Sequence, residues 1–385
     1  MNSISIYRNI FVSVLLGTLF VVAMMMAESQ VAVLSLIVLA AVSCIVLQKK
    51  GVIRKLGSDF ASAEKFANGT IMIGALATAV VFAGDHFILL MLTTVLIYVV
   101  ACLGLNIQFG YAGMVNFAGA AFFGAGGYAA AVLTMQTGLP HLVVLVIGGL
   151  VAVIVGFLLI LPVLRTRGHY AAVVTIAFSL LFRTLVEVSP VLGGAQGSPV
   201  TGMVIFGWNF NEGYQIAGFD VSFYINYFLF ALILTAVTFT IVRRVERSWI
   251  GLNMDSIRID ETASACFGMN VARWKVTAFT IGNFFMGIIG AFYAMMLGFI
   301  APNNFTFGDS LIMVSIILLG GIGSIWGIIL ATGIVIILPE KLQIIQEYRF
   351  LIFSLGVILV LLYRPNGLLS RAARTYFPGL LRGAR

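Results

Sequence analysis

The sequence predicts an all-α polytopic membrane protein of about ten transmembrane helices, some of them Gly-broken or re-entrant. Composition is the first reason: of 385 residues, 61% are hydrophobic and 9% charged, with a mean hydropathy of +1.10. A soluble globular chain needs far more polar surface. Secondly, many apolar runs approach the ~20 residues that a helix needs to cross ~30 Å of hydrocarbon. Thirdly, these runs do not alternate in the ~10-residue segments of a membrane β-barrel.

The net charge of +8 does not mark a nucleic-acid surface, because Arg and Lys are dispersed among short loops. They orient the chain instead, since cytoplasmic loops carry an excess of basic residues. Cys44, Cys102 and Cys266 show no CxxC spacing, and His86, His141 and His169 stand singly at span edges. No disulfide framework and no metal site are expected.

Residues 9–27 follow Arg8, and a second apolar run begins at Val31. The first is therefore read as an uncleaved helix starting in the cytoplasm rather than a signal peptide. A span at 31–47 returns to a basic loop with Lys49, Lys50, Arg54, Lys55 and Lys65. Spans near 70–84 and 87–106 lead out and back, and a glycine-rich stretch at 104–131 carries the chain out again. The span at 142–163 delivers Arg165 and Arg167 inside, and that at 170–188 leaves. Ser189 to Ser222 holds Glu212 and Asp220 but no Lys or Arg, and reads as an external segment folded over the mouth. A span at 223–242 re-enters, and one at 276–299 leaves.

Between those two spans lies the longest charged interruption, Arg243 to Lys275, with Arg244, Arg247, Arg258 and Arg273 against Glu246, Asp255, Asp260 and Glu261. Asp255 is expected as an N-cap, Asp260 and Glu261 in the first turn, and Gly268 as a left-handed stop. That gives one helix over 256–267, roughly twelve residues and about 18 Å long. Arg258 and Glu261 would be i,i+3 neighbours, and Ala263, Ser264 and Ala265 would let another backbone approach. The segment reads as a lever offered to a cytosolic partner, or else as a solvated loop with a frayed helix.

Asp309 falls outside and the tail with Arg364, Arg371, Arg374, Arg382 and Arg385 inside, so only 310–338 and 350–363 lie between. Two crossings need about 60 Å of helix, and 310–338 gives about 44 Å. A re-entrant hairpin that turns near Gly320, Gly321 and Gly323 and climbs back to Pro339 resolves the count; a miscounted short span is the other solution. The chain then divides into N-terminal helices with a basic loop (1–100), a core (101–370) and a basic cytoplasmic tail (371–385), with both termini cytoplasmic.

Non-helical backbone at membrane depth is tolerated only where protein buries it or it lines a cavity. Two stretches qualify: one with Asn106, Gly110, Gly113 and Asn116 and a continuation to Gly127, the other with Gly320, Gly321 and Gly323 running to Gly327. Their placement suits inverted repeats around a midplane path. Packing is a second role, since Gly323 and Gly327 have GxxxG spacing. Arg183 and Glu187 form an intramembrane ion pair, either functional or neutralising each other near the outer boundary. No deeper carboxylate suggests proton coupling, although sodium coupling stays open. The chain has no GxxxxGK[ST] phosphate loop, GxSxG or HExxH, so catalysis and P-loop binding of ATP are not expected of it.

Six stretches in order resemble the LivM-type permease subunits of ABC importers for branched-chain and neutral amino acids. They are GLNIQFGYAGMVNFAGAAFFGAGGYAAA (104–131), RGHYAAVVTIAFSLLFRTLVE (167–187), GGAQG (193–197), IRIDETASACFGMNVARWKVTAF (257–279), GFIAPNNFTF (298–307) and LLGGIGSIWG (318–327). The resemblance covers roughly 100–370. It implies that Asp260 to Gly268 docks on an ATP-hydrolysing subunit, with Ser264 where the family often has Ala. It also implies a LivH-like second permease, two cytosolic ATP-binding subunits that carry ATP-Mg, and an extracytoplasmic amino-acid-binding protein facing 189–222. The setting would be the bacterial cytoplasmic membrane and its lipid, with no nucleic acid. Sister systems carry urea or sugars, so fold alone does not fix the substrate. An ion-coupled secondary carrier, or a membrane scaffold or channel subunit, is the rival of another class.

Overall fold

The computed structural model describes residues 3–49, 52–166, 169–216 and 219–342, and beyond them 348, 351, 354–356, 358–359, 362, 367–369 and 371. Its helices are α1 (Ser3–Met26), α2 (Gln30–Lys49), α3 (Val52–Ser62), α4 (Glu64–Val81), α5 (His86–Asn106), α6 (Gly119–Gln136), α7 (His141–Arg165), α8 (His169–Val188), α9 (Tyr224–Arg247), α10 (Trp249–Ile259), α11 (Glu261–Cys266), α12 (Val271–Leu297), α13 (Phe307–Gly320) and α14 (Ile325–Lys341). Short strands β1 (Ser198–Pro199), β2 (Val204–Ile205), β3 (Trp208–Asn209), β4 (Tyr214–Ile216), β5 (Phe219–Val221) and β6 (Phe299–Ile300) complete it.

Among the described residues, seven helical segments are long and apolar enough to cross a membrane. Helices α2, α4, α6 and α14 add apolar segments of 20, 18, 18 and 17 residues. Together they account for the expected polytopic class of about ten. Several helices outrun the hydropathy boundaries: α9 continues to Arg247, and α12 begins at Val271. Arg and Lys are good helix formers, so a span keeps its helix after it leaves hydrocarbon. Half of the expected span at 350–363 lies outside the described residues, and its seven described residues are helical; Arg364, Arg374, Arg382 and Arg385 lie outside them.

By contacts the chain forms two compact units, one of residues 1–94, 211–230 and 337–347 and the other of 95–210, 231–336 and 348–385. In the first, α3 is a helix where the sequence reading had only a basic loop. Half-buried Val52, Leu56 and Phe60 recur at helical spacing, and buried Asp59 accepts a hydrogen bond from Asn9 Nδ2 at 2.9 Å. At the other end of α1, Lys341 Nζ donates to the carbonyls of Met25 (2.6 Å) and Ala27 (3.3 Å). A cation there satisfies acceptors that a helix end leaves unpaired. Met24, Val33 and Leu342 pack beside it as a small core.

The second unit is built on α6, α7 and α12. Methyl groups at Gly126 or Gly290 would collide with main chain, of Gly287 and Phe123 respectively. Gly287 in turn lies against the Gly148 carbonyl. Small residues allow this approach, which lets membrane helices gain dispersion contact in the absence of a hydrophobic drive. Helix α12 ends at Gly298 (φ 72°), and β6 beyond it pairs antiparallel with β1. The segment 189–222 is accordingly folded: two 3-10 turns, Pro190–Leu192 and Gly194–Gln196, precede β1. The hairpin β2–β3 follows, and β4–β5 belongs to the first unit. The tip of β2–β3 holds Phe206 at φ 49°, 99% exposed.

Candidate translocation path and coupling segment

The two glycine-broken stretches meet. After Asn106, α5 widens into a π-turn over Ile107–Tyr111, closed by a bond from Ala112 N to the Ile107 carbonyl at 3.2 Å. The chain then stays irregular until α6 begins at Gly119. On the other side α13, which starts in a Thr306/Asp309 capping box, ends at Gly320. Gly321 (φ 110°) and Gly323 (φ 82°) take backbone conformations that L side chains avoid, and α14 starts at Ile325. Asn106 Oδ1 accepts from Gly323 N at 2.9 Å. A Cβ on Gly110 would lie 2.6 Å from Gly323 Cα.

One packing expectation changes. Gly323 lies in the break, outside both helices, so it forms no GxxxG face with Gly327. Gly327 packs on Gly320 instead, where an added Cβ would lie 2.6 Å from the Gly327 carbonyl carbon. That contact folds α13 and α14 back on each other.

Beside the break runs a chain of buried amides. Asn116 Nδ2 donates to Gln108 Oε1 (2.6 Å), and Gln108 Nε2 donates to Asn283 Oδ1 (2.8 Å). Asn116 Oδ1 accepts from Ala118 N at 2.8 Å, and Phe117 N donates to Thr175 Oγ1 at 3.0 Å. The Nδ2 atoms of Asn106 and Asn283 are buried with no hydrogen-bond partner among the described residues. Sequence reasoning missed Gln108 and Asn283. An amide inside an apolar 27-residue helix was the available signal, because such groups bind across helices or serve a solute.

The charged segment 243–275 departs from expectation in its local build. Ser248, not Asp255, caps the first helix, accepting from Ile250 N at 3.2 Å. Asp260 is extended (φ −156°, ψ 110°) and caps a second helix, accepting from Thr262 N (2.8 Å) and Ala263 N (3.0 Å). The expected single helix over 256–267 is thus two helices, α10 and α11, because the Asp260 carboxylate offers those amides a better partner than a continued helix. The break parts Arg258 from Glu261: Arg258 lies 3.6 Å from Asp255, and Glu261 pairs with Lys275 at 2.6 Å. Gly268 (φ 79°) ends α11 as expected. Ser264 is buried, whereas Glu261, Ala263 and Ala265 are exposed. Trp249, Ile259 and Phe267 are 70%, 79% and 87% exposed.

This segment reaches the first glycine-broken stretch directly. Gly113, at φ 68°, packs on α10, and a Cβ there would lie 3.0 Å from Arg258 Cγ. Asp255 accepts from both terminal guanidinium nitrogens of Arg371, Nη1 to Oδ1 at 2.5 Å and Nη2 to Oδ2 at 2.8 Å. Arg371 also lies 3.7 Å from Glu246 and 4.7 Å from the centre of the Tyr111 ring. Burial works against its charge, but hydrogen bonding and attraction to Asp255, with further help from Glu246, hold its pKa above the ordinary guanidinium value. Just before it, Leu368 N and Leu369 N donate to the carbonyls of Leu319 (2.8 Å) and Gly320 (3.2 Å), the last turn of α13. The hairpin of α13 and α14 therefore extends to the level of α10.

Arg183 Nε donates to Glu187 Oε1 at 2.8 Å, and its Nη2 donates to Asn303 Oδ1 at 2.9 Å. The pair, about a third exposed on each side chain, ties α8 to the 302–304 turn. Among the described residues no group of three His, Cys, Asp or Glu could hold a metal.

Comparison with known proteins places these features. The LivM high-affinity branched-chain amino acid transport permease of Escherichia coli strain K12 is 34% identical over 291 residues, 72% of this chain and 68% of its own length. Its Salmonella typhimurium counterpart is 33% identical over the same extent. A probable branched-chain amino acid permease LivM of Methanocaldococcus jannaschii is 22% identical over 325 residues, 71% of this chain and 90% of its own. No solved structure matches the chain. Residues 87–362, which hold both breaks, the amide chain and α10–α11, match the model described as the branched-chain amino acid transport system permease component, and the chain belongs to that family.

Proposed function

We propose that this chain is the membrane permease subunit of an ATP-driven importer for branched-chain and other neutral amino acids. It would form the path with a second, LivH-like permease, take substrate from an extracytoplasmic binding protein, and be driven by two cytosolic subunits that bind ATP-Mg. The observation that carries the reading is the direct packing of α10 on the broken path at Gly113 and Arg258. A push on α10–α11 then acts on the π-turn through side-chain contact rather than through a flexible loop.

Glu261, Ala263, Ala265 and the exposed apolar groups Ile259 and Phe267 form the docking face for an ATPase. An apolar patch with a polar rim favours a protein partner. Asn106, Gln108, Asn116 and Asn283 suit the path: they are neutral, and Gln108, Asn116 and Asn283 can exchange their mutual hydrogen bonds, and Asn106 its bond from Gly323 N, for those of a zwitterion. The chain contributes a conduit and a lever, with no covalent chemistry. Both termini lie on the cytoplasmic side in this reading, and 189–222 on the other.

The test is uptake of labelled leucine into proteoliposomes that hold this chain and its partners. Uptake that requires both ATP and the binding protein supports the reading. Uptake by this chain alone, driven by an ion gradient, overturns it.

A further inference from the structure

Arg371 sits where four pieces of the chain converge. It reaches the end of α9 through Glu246, α10 through Asp255, the π-turn through the Tyr111 ring and the second break through Gly323, where a Cβ would lie 2.8 Å from its Cδ. The backbone leading to it is fastened as well, since Leu368 N and Leu369 N occupy the last carbonyls of α13. A planar guanidinium with two bonds to one carboxylate fixes distance and orientation together, as a lysine's single ammonium does not. One side chain thus joins the lever to both breaks.

We propose that residues 367–369 form a strap and that Arg371 is the positioning residue that keeps the path in register with α10–α11, so that movement of the lever reaches the breaks. The inference rests on the ATP-coupled reading above and deepens it. Without the guanidinium, α10 still docks its partner and the ATPase still turns over, but displacement of α10 reaches Gly323 only indirectly, through the Gly113 contact and the Asn106–Gly323 bond, and coupling is weakened. Arg371 is thereby a determinant of coupling efficiency outside the docking face itself.

The experiment uses the assembled transporter in proteoliposomes, with ATP hydrolysis and leucine uptake measured together for wild type, Arg371→Gln, Arg371→Lys, Asp255→Asn and the double variant Asp255→Asn/Arg371→Gln. Hydrogen exchange of the Leu368 and Leu369 amides reports the strap independently of transport. Arg371→Gln is expected to lower uptake per ATP by about tenfold while hydrolysis stays within about threefold, and to speed exchange at both amides by about tenfold. Arg371→Lys recovers part of the ratio, and the double variant is no worse than either single change, because the two residues act as one unit.

An unchanged uptake-to-hydrolysis ratio in Arg371→Gln overturns the proposal. So does a proportional fall of uptake and hydrolysis with no recovery in Arg371→Lys, which is the signature of a purely structural arginine. Wild-type uptake that needs no ATP defeats the parent reading before any variant is compared, and this inference with it. ATP-dependent wild-type uptake with a fully coupled Gln variant defeats the strap alone.

Discussion

The carboxamide oxygen of Asn106 accepts the main-chain N–H of Gly323 at 2.9 Å, so the end of α5 caps an amide that the broken α13–α14 hairpin leaves unpaired. Asn106→Leu removes the acceptor and strands a buried N–H, at a cost of about 1–3 kcal/mol. The melting temperature of the purified chain in detergent should fall, and uptake should fall with it. An unchanged melting temperature would show that the bond is dispensable.

Gly110 and Gly333 give a matched contrast. A methyl at Gly110 collides with Gly323, whereas at Gly333 it meets nothing within 4 Å. Gly110→Ala should abolish most uptake. Gly333→Ala should leave uptake intact and add up to about 1 kcal/mol of helix stability. Equal behaviour of the two variants would remove the argument for a tight break.

Asp260 begins α11 by accepting two amides. Asp260→Ala should cost about 0.5–2 kcal/mol of local helix stability and reduce co-purification of the ATPase subunits severalfold, while Asp260→Asn retains most of it. Full co-purification of the Ala variant would mean that docking does not need α11 folded.

Phe267 is almost wholly exposed at the end of that helix. Replacing it with Ala uncovers no core, so the melting temperature should not move. ATPase affinity should weaken, by the ≥ ~2 kcal/mol that an aromatic anchor carries at an interface centre. Titration of the purified ATPase onto the chain in nanodiscs measures this directly.

Glu187→Gln breaks a pair that is partly open to its surroundings, and screened pairs contribute about 0–1 kcal/mol. Uptake should change by less than about twofold. A loss of tenfold or more would place Arg183 and Glu187 in the transport step instead of in the fastening of α8 to Asn303.

Hydropathy located the spans well because bilayer thickness imposes a length on them, and the glycines at 110–113 and 320–323 announced both breaks. Their meeting through Asn106 was not legible, since a contact between distant positions leaves no periodicity in either. Helix α3 escaped because its basic residues masked Val52, Leu56 and Phe60 at helical spacing. Asp255 is expected as the cap and Asp260 in the first turn; the pairing of Asp255 with Arg371 and the two amides held by Asp260 show only after folding. Arg371 itself looked like one more positive charge in a basic tail, and a charge shows its partner only after folding.

The glycine contacts of α6, α7 and α12 carry one more implication. A junction made of main chain has no rotamers with which to adjust, and close-packed interiors yield by discrete shifts rather than by gradual deformation. The main-chain contacts therefore make α6, α7 and α12 one closely fitted block, which leaves the irregular backbone at 112–118 and 321–324 outside it.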